Sequence, residues 1–287
     1  MKTDDFQFLS KLLKDRSGLT LGDDKGYLLE NRLVPVARRH GLKDLDDLVV
    51  RLRGSGGEAL ARDVVDAMTT NESFFFRDKK PFDQFVSIVL PHLVKARAAR
   101  RSFRVWSAAC SSGQEPYSLA KIWREQAAML NGWRYEIVAT DLSREILAKA
   151  KAGVYSQFEV QRGLPISLLV KYFRQDGDKW QIDPGLRGMI QFREFNLLED
   201  PRALGAFDVV FCRNVLIYFD QPTKARVLER VRHVLADDGF LYLGGAETVL
   251  GVTDRFQPIA NERGIYGVTK APPTAAATIT ARAAAAM

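Results

Sequence analysis

Three places in this chain carry side chains whose types and spacing could do chemistry together. Glu115 stands at the mouth of a helix, directly after a loop of small residues running from Ala108 to Gln114. Such a loop lets a ligand approach the backbone closely, and the free N–H groups of the helix start face it, which makes a phosphate or nucleoside cradle. Gly113 is the only glycine in the loop, so the G-x-G-x-x-G of a dinucleotide site is missing. The Glu115 carboxylate would repel a pyrophosphate, but it could pair with the ammonium of a bound amino acid. S-adenosylmethionine carries such an ammonium, and a favourable first-turn acid is the alternative reading of Glu115. Asp141 ends the run Tyr135 to Thr140, 28 residues beyond Gly113 (141 minus 113). Nucleoside-binding βαβ units place there the carboxylate that accepts both ribose hydroxyls. Asp141 could equally cap the helix from Ser143 to Lys151. Third, Arg213, Asn214 and Tyr218 directly follow the apolar run FDVVFC, a pattern typical of a central strand buried on both faces. Side chains leaving the carboxyl end of such a strand face the ligand crevice of a doubly wound fold.

The elements that must position these groups read as follows. Phe103, Val105 and Trp106 form a buried strand ahead of the cradle, and Lys121 to Leu130 completes the helix behind it. Met189 to Phe192 and Phe240 to Gly244 supply further strands, Thr223 to Leu235 is an amphipathic helix, and Phe256 to Lys270 is a closing hairpin. Residues 1 to about 80 read as short helices with Phe6, Leu9, Leu12, Leu13, then Tyr27 to Val36, then Leu45 to Leu52, then Leu60 to Met68 at helical spacing. Pro35 predicts a kink or early break in the second of them. Its other face holds Lys25, Arg32, Arg38 and Arg39 against one acid, Glu30, and is the best local candidate for docking an acidic helix. A linker with three consecutive phenylalanines and Arg77 follows, and so many aromatics demand burial, with the neighbouring ligand pocket as the expected place. Asp176-Gly177-Asp178, between Tyr172-Phe173 and Trp180, predicts a small antiparallel insertion within about 168–192. Residues 271–287 are Ala, Pro and Thr without a core pattern, and a disordered tail is expected.

Composition narrows the function classes. A hydrophobic content of 46% with 27% charged residues is that of a globular protein, and no apolar run approaches a membrane span. The start, MKTDDFQFL, lacks a signal-peptide pattern, so a cytoplasmic location without membrane insertion is expected. Cys110 and Cys212 form no C-x-x-C pair, and His40, His92 and His233 lie far apart, so neither a disulfide framework nor a metal site is expected. The formal charge of +7 is diffuse and no aromatic-basic RNA-binding pattern appears, so an acidic protein surface is at least as good a candidate partner as nucleic acid.

With these segments placed, the chain resembles the chemotaxis receptor methyltransferases, the CheR family, which methylate glutamates of bacterial chemoreceptors. The resemblance spans about Leu19 to Gly267 and is carried by NRLVPVARRHGL, TTNESFFFRD, SAACSSGQEPYSLA, ATDLS, FNLLE and FDVVFCRNVLIYFD. It implies an N-terminal all-α domain (1–80), then a class I S-adenosylmethionine-dependent α/β fold, Rossmann-like and doubly wound (81–270), with the small β-subdomain inserted. It implies cofactor contacts at Asn71, Ser73, Arg77, Glu115, Asp141, Asn196, Leu197, Arg213 and Asn214, and an active-site pair at Arg77 and Tyr218. Ser73 departs from the threonine common in the family and keeps the hydroxyl. The turn RQDGDKW is more compact than the glycine-rich turn of members that tether to a receptor's C-terminal pentapeptide, so independence of that tether is expected. The expected partner is then the cytoplasmic helical region of chemoreceptors, docked by the basic helix around Lys25 to Arg39 of a monomer, with no nucleic-acid partner.

The reaction so implied joins a glutamate carboxylate to the sulfonium methyl, giving a methyl ester and S-adenosylhomocysteine. A glutamate with an ordinary pKa of about 4.3 is already ionised at neutral pH, so no general base is required, in keeping with the lack of a candidate catalytic histidine or cysteine. Methylation of nucleic acid or of an amine nitrogen is disfavoured because Asn214-Val-Leu-Ile-Tyr218 lacks the Asn/Asp-Pro-Pro-aromatic loop. A cofactor-sensing scaffold without turnover is the rival from another class, and an NAD oxidoreductase is weakened by the missing glycine fingerprint.

Overall fold

The computed structural model describes residues 2–269; the tail expectation for 271–287 lies outside the described residues. Four helices open the chain: α1 (Thr3–Ser17), α2 (Gly26–Arg39), α3 (Leu45–Arg53) and α4 (Glu58–Met68). They bury one apolar stripe each, with Leu9, Leu13, Leu29, Leu33, Leu48 and Val64 meeting in a separate small core. α2 runs on through Pro35 to Arg39, so the early break expected there does not occur. Burial of Leu33, Val36 and Ala37 on either side of the proline holds the helix together, a tertiary gain that overrides its local cost of about 3 kcal/mol. The basic face of α2 is smaller than the sequence implied. Arg32 turns inward and donates to the carbonyls of Met68 (2.8 Å) and Thr69 (3.0 Å), satisfying the orphan carbonyls at the end of α4. Arg38 and Arg39 remain exposed.

After the linker, a helical stretch with a π-turn in the middle, α5 (Lys80–Gln84), Phe85–Val89 and α6 (Leu90–Ala96), leads into β1 (Ser102–Ala108). The chain then alternates: α7 (Gln114–Glu125), β2 (Arg134–Asp141), α8 (Arg144–Ala152), β3 (Val154–Ser156), α9 (Gln157–Gln161), α10 (Ile166–Tyr172), β4 (Phe173–Asp176), β5 (Lys179–Ile182), α11 (Pro184–Arg187) and β6 (Ile190–Glu194). It closes with β7 (Phe207–Cys212), α12 (Gln221–Val234), β8 (Leu235–Tyr242), β9 (Phe256–Pro258) and β10 (Ile265–Val268). The main sheet has the order β6-β2-β1-β7-β8-β10-β9, parallel up to β8 and antiparallel thereafter. The strand order reverses between β1 and β7, and ligands of doubly wound sheets bind at that reversal. Every residue of β7 is buried, as the FDVVFC run predicted.

A second sheet, β3-β5-β4, is the small antiparallel subdomain. Its boundary differs from the sequence-based one: β3 joins it from Val154, 14 residues ahead of position 168 (168 minus 154), while β6 belongs to the main sheet. Three residues cannot announce a strand by alternation alone, which is why β3 escaped notice. The β4–β5 turn is the two-residue Gly177-Asp178, with Asp176 opposite Lys179.

Of the phenylalanine run Phe75 is buried and Phe74 and Phe76 are half-buried, and Phe75 packs against the core and not against a ligand pocket. Phe75 is fully buried with its ring edge-on to Tyr155 (5.0 Å) and Phe173 (5.6 Å), so it pins the linker to the subdomain. Beneath it lies Lys121 on α7, fully buried, its ammonium nitrogen without a hydrogen-bond partner among the described residues and 4.2 Å from the Phe75 ring centroid and 4.8 Å from that of Phe173. The rings favour the cation by about 0.5–2 kcal/mol each, whereas removing an unpaired ammonium from water costs several kcal/mol. Desolvation wins and holds the amine well below the usual lysine range. The unfolded chain therefore binds one proton more than the folded protein between that lowered value and 10.5, and stability rises with pH across the window. Lys121→Met is expected to raise unfolding free energy at pH 7 by about 1–3 kcal/mol, with the gain shrinking by pH 10. Urea unfolding of both proteins at the two pH values checks this; a variant less stable than the parent at pH 7 contradicts it.

Candidate functional site

One cleft lies at the carboxyl ends of β1, β2 and β7, and it gathers every residue that the family resemblance implied for cofactor and catalysis. Its void is about 1010 Å³ including the part open to solvent, the upper end of the range for small-molecule sites. The helical domain contributes to its wall through Ser17, Leu19, Val65 and Met68, a contribution that sequence reasoning missed because these residues read as ordinary helix and turn positions.

The cradle is built by backbone conformations that side chains resist. Ala109 and Ser111 have φ of 60° and 52°, and Gly113 has 92°. A Cβ on Gly113 would approach Ala150 and Tyr117 to 3.1 Å, so the one glycine of the loop is where both backbone and space require it. Among the described residues eight non-glycine positions have positive φ, and six of them, Phe76, Asp78, Lys79, Ala109, Ser111 and Asn214, lie in the linker and loops around the cleft. Such conformations cost of order 1–3 kcal/mol each and persist where the surrounding structure over-determines them, typically at binding sites.

Asp141 is buried at the end of β2. Its Oδ2 accepts the Ser111 N–H (2.8 Å) and its Oδ1 the Ser143 N–H (3.0 Å), so it fastens the cradle to the second strand and each oxygen keeps a lone pair for a further donor. The helix cap is supplied by Ser143, whose hydroxyl accepts the Ile146 N–H, which leaves the alternative role of Asp141 filled by its neighbour. Burial pushes the Asp141 carboxyl above the ordinary aspartate range, partly offset by backbone N–H bonds from Ser143, Ser111 and Leu142. Nearby, outside the cleft, burial raises Asp66 on α4 to about 6.

Glu115 is held from both sides: Oε1 accepts the Ser107 hydroxyl (2.8 Å) and Oε2 the Arg213 Nη1 (2.9 Å). Arg213 is itself buried, and its Nη2 donates to Asp78 (2.7 Å) and to the carbonyl of Arg77 (3.0 Å). Its Nε is buried with no acceptor among the described residues. Arg77 pairs with neither adjacent acid: its Nη1 donates to the Glu72 carbonyl (2.9 Å) and its guanidinium lies 5.5 Å from the Phe74 ring centroid, while Glu72 is taken by Arg162 and Asp78 by Arg213. Across the cleft, Asn196 donates to the Arg16 carbonyl (2.6 Å) and Leu197 is buried beside it. Asn71 reaches the cleft with its carbonyl accepting the Ser111 hydroxyl (2.9 Å), Ser73 lines the same wall, and Tyr218 is half-buried facing them. Cys110, in the cradle loop, and Cys212, at the end of β7, are buried thiols whose pKa is pushed up by desolvation, which suits inert residues.

The donor set fits S-adenosylmethionine. A carboxylate at the start of α7 suits an ammonium, an unpaired guanidinium N–H suits a carboxylate, and a buried acid with two free lone pairs suits a ribose diol. Two family profiles match the chain: "CheR methyltransferase, all-alpha domain" over residues 4–69 and "CheR methyltransferase, SAM binding domain" over residues 71–265. Among curated proteins, chemotaxis protein methyltransferase 1 of Pseudomonas aeruginosa is 42% identical over 265 residues, which is 91% of this chain and 96% of that one. A chemotaxis protein methyltransferase of Pseudomonas putida is 40% identical over the same shares. The chemotaxis protein methyltransferase of Salmonella typhimurium is 34% identical over 88% of this chain and 86% of its own length.

If Asp141 receives the ribose hydroxyls it must be ionised, so S-adenosylhomocysteine affinity is expected to be flat at alkaline pH and to fall as pH drops through the raised pKa of this group. Asp141→Asn should weaken binding about tenfold or more at pH 8 and abolish that dependence, whereas Asp66→Asn should leave affinity at pH 8 within about threefold. Calorimetric titration across about pH 5 to 8.5 decides; an Asp141→Asn variant binding like the parent refutes the assignment.

Proposed function

The chain belongs to the CheR methyltransferase family and is a chemotaxis protein methyltransferase using S-adenosylmethionine; from that premise we propose that it methylates glutamate side chains of chemoreceptor cytoplasmic helices, acting in the cytoplasm as a monomer. The observation that carries this reading is the meeting of Arg77 and Tyr218 with Asp141, Glu115 and Arg213 around one cleft, although linker, cradle and β7 loop are separated by up to 141 positions (218 minus 77).

When bound, S-adenosylmethionine supplies an electrophilic methyl; the chain's own residues supply alignment and dryness. Arg77 orients the incoming carboxylate with a planar guanidinium whose second edge is already steadied on Phe74 and the Glu72 carbonyl. Tyr218 shapes the cavity beside it and offers a hydroxyl to the substrate. Leu197, Phe195, Val65 and Met68 line the remaining wall with apolar surface and limit the water that would blunt the nucleophile. Asn71, Ser73, Asn196 and Asn214 hold the cofactor through backbone and amide groups. Because the acceptor is ionised at neutral pH, no group in the cleft must remove a proton. Support for a helical, acidic partner comes from the exposed Arg38 and Arg39 on α2, within the helical domain that helps to wall the cleft. The turn between β4 and β5 is only the two residues Gly177-Asp178, and that compactness is what supports pentapeptide independence.

Too firm an Arg77–carboxylate pair would stabilise ground and transition states alike, so its worth lies in orientation. Arg77→Ala is expected to slow single-turnover methylation of receptor-bearing membranes by about 100-fold, and Arg77→Lys to restore only part, read as base-labile tritiated methyl; an unchanged single-turnover rate in the alanine variant excludes the role. Titration with the tethering pentapeptide is expected to show no binding up to about 100 μM; micromolar affinity would mean that the subdomain is a tether site after all.

A further inference from the structure

Four main-chain N–H groups converge on a side chain that does not line the cleft. Glu247, in the loop after β8, accepts the N–H of Val215 (2.9 Å) and Ile217 (3.2 Å) on Oε1, and those of Asn214 (2.8 Å) and Gly244 (2.6 Å) on Oε2. Three of the four belong to the segment that carries Arg213, Asn214 and Tyr218 out of β7. That segment owes its course to Asn214, whose φ of 59° turns successive N–H groups to the same side and makes a concave nest with no acceptor of its own. Gly244 is shaped to admit the acid, since a Cβ there would stand 2.6 Å from Asn214 Nδ2 and 2.8 Å from Glu247 Oε2.

We propose that Glu247 is a positioning residue for methyl transfer: its carboxylate fills the nest and fixes the loop, so that Arg213 meets Glu115 on one side while Tyr218 faces the cleft on the other. This deepens the methyltransferase reading and depends on it for the turnover part of its test. A carboxylate is required because it brings two acceptor oxygens and no donor. Glutamine keeps one oxygen for one N–H pair and turns its amide hydrogens onto the other pair, so the size is conserved and the nest is not.

Glu247→Gln is expected to lower kcat about 100-fold and to weaken S-adenosylhomocysteine binding about tenfold, with thermal midpoint within about 5 °C of the parent. In a Tyr218→Phe background the same change should cost kcat clearly less than it does in the parent, because one of the two groups it positions is already altered, while the loss of affinity, which runs through Arg213, persists; a merely structural defect would add in full. Should the glutamine variant not fold, Gly244→Ala displaces the carboxylate while keeping it in the chain, and the same pattern is expected. Parental kcat and parental affinity in either folded variant, or full additivity with Tyr218→Phe, overturns the proposal. If the parent itself transfers no methyl to receptors, the functional reading fails, and the affinity comparison alone still decides for or against Glu247.

Discussion

The buried guanidinium of Arg213 holds the active half of this molecule together. It takes Glu115 from the mouth of α7, Asp78 and the Arg77 carbonyl from the linker, and stands itself at the end of the central strand. Burying such a cation costs several kcal/mol, which its charge-assisted bonds, each about 1.5–3 kcal/mol, offset only when all are made. The cluster therefore acts as a unit: the cradle, the linker and the β7 loop are in register together or not at all. Asp78 has a positive φ, so the linker is bent out of its preferred backbone to present that carboxylate.

Strain of this kind needs an anchor, and the anchor is apolar. Phe75, two residues before Arg77, fills a slot among Tyr155 and Phe173, and the Phe76 N–H is received by the Ser118 hydroxyl on α7 (3.0 Å). The aromatic run thus fixes the linker from beneath while Arg213 fixes it from the cleft. Lys121 opposes the chemistry of that slot; its stem packs as any long aliphatic chain would, while the nitrogen at its tip finds no partner among the described residues.

What the sequence disclosed follows from periodicity and from distance along the chain. The six buried residues of β7 are a run that no other environment would tolerate, and Asp141 follows the cradle at the interval a strand–helix–strand unit imposes. Both are local patterns. The failures are of a different kind. Arg32 reads as one of four cations on a helix face, and only the folded position of α4 reveals that its fork is spent on the carbonyls of Met68 and Thr69. Phe75 announces burial but not its partner, since Phe173 lies 98 residues on (173 minus 75). Glu247 sits among small residues with no periodic signal, and its role exists only because Asn214 takes a left-handed turn 33 positions earlier (247 minus 214). Side chains that satisfy distant backbone groups leave no trace in spacing.

The two domains meet through the main chain, and this gives the helical domain a part in the chemistry that its composition does not declare. The Thr20 N–H donates to the Tyr218 carbonyl (2.9 Å), Leu19 forms a bridge with Phe219, and the Arg16 carbonyl receives Asn196. Lys14 adds an ion pair to Asp220, the cap of α12 (2.7 Å). These contacts join the end of α1 to both walls of the cleft, one carrying the tyrosine and the other the Asn196 loop. Gly18, at φ 80°, allows the chain to leave α1 and run along the cleft rim, with the Phe219 ring 3.0 Å from where a Cβ would stand. The helical domain is thereby tied by main-chain and side-chain contacts to the wall that carries Tyr218 and to the wall that carries Asn196, so the position of α1 and the shape of the cleft are set together.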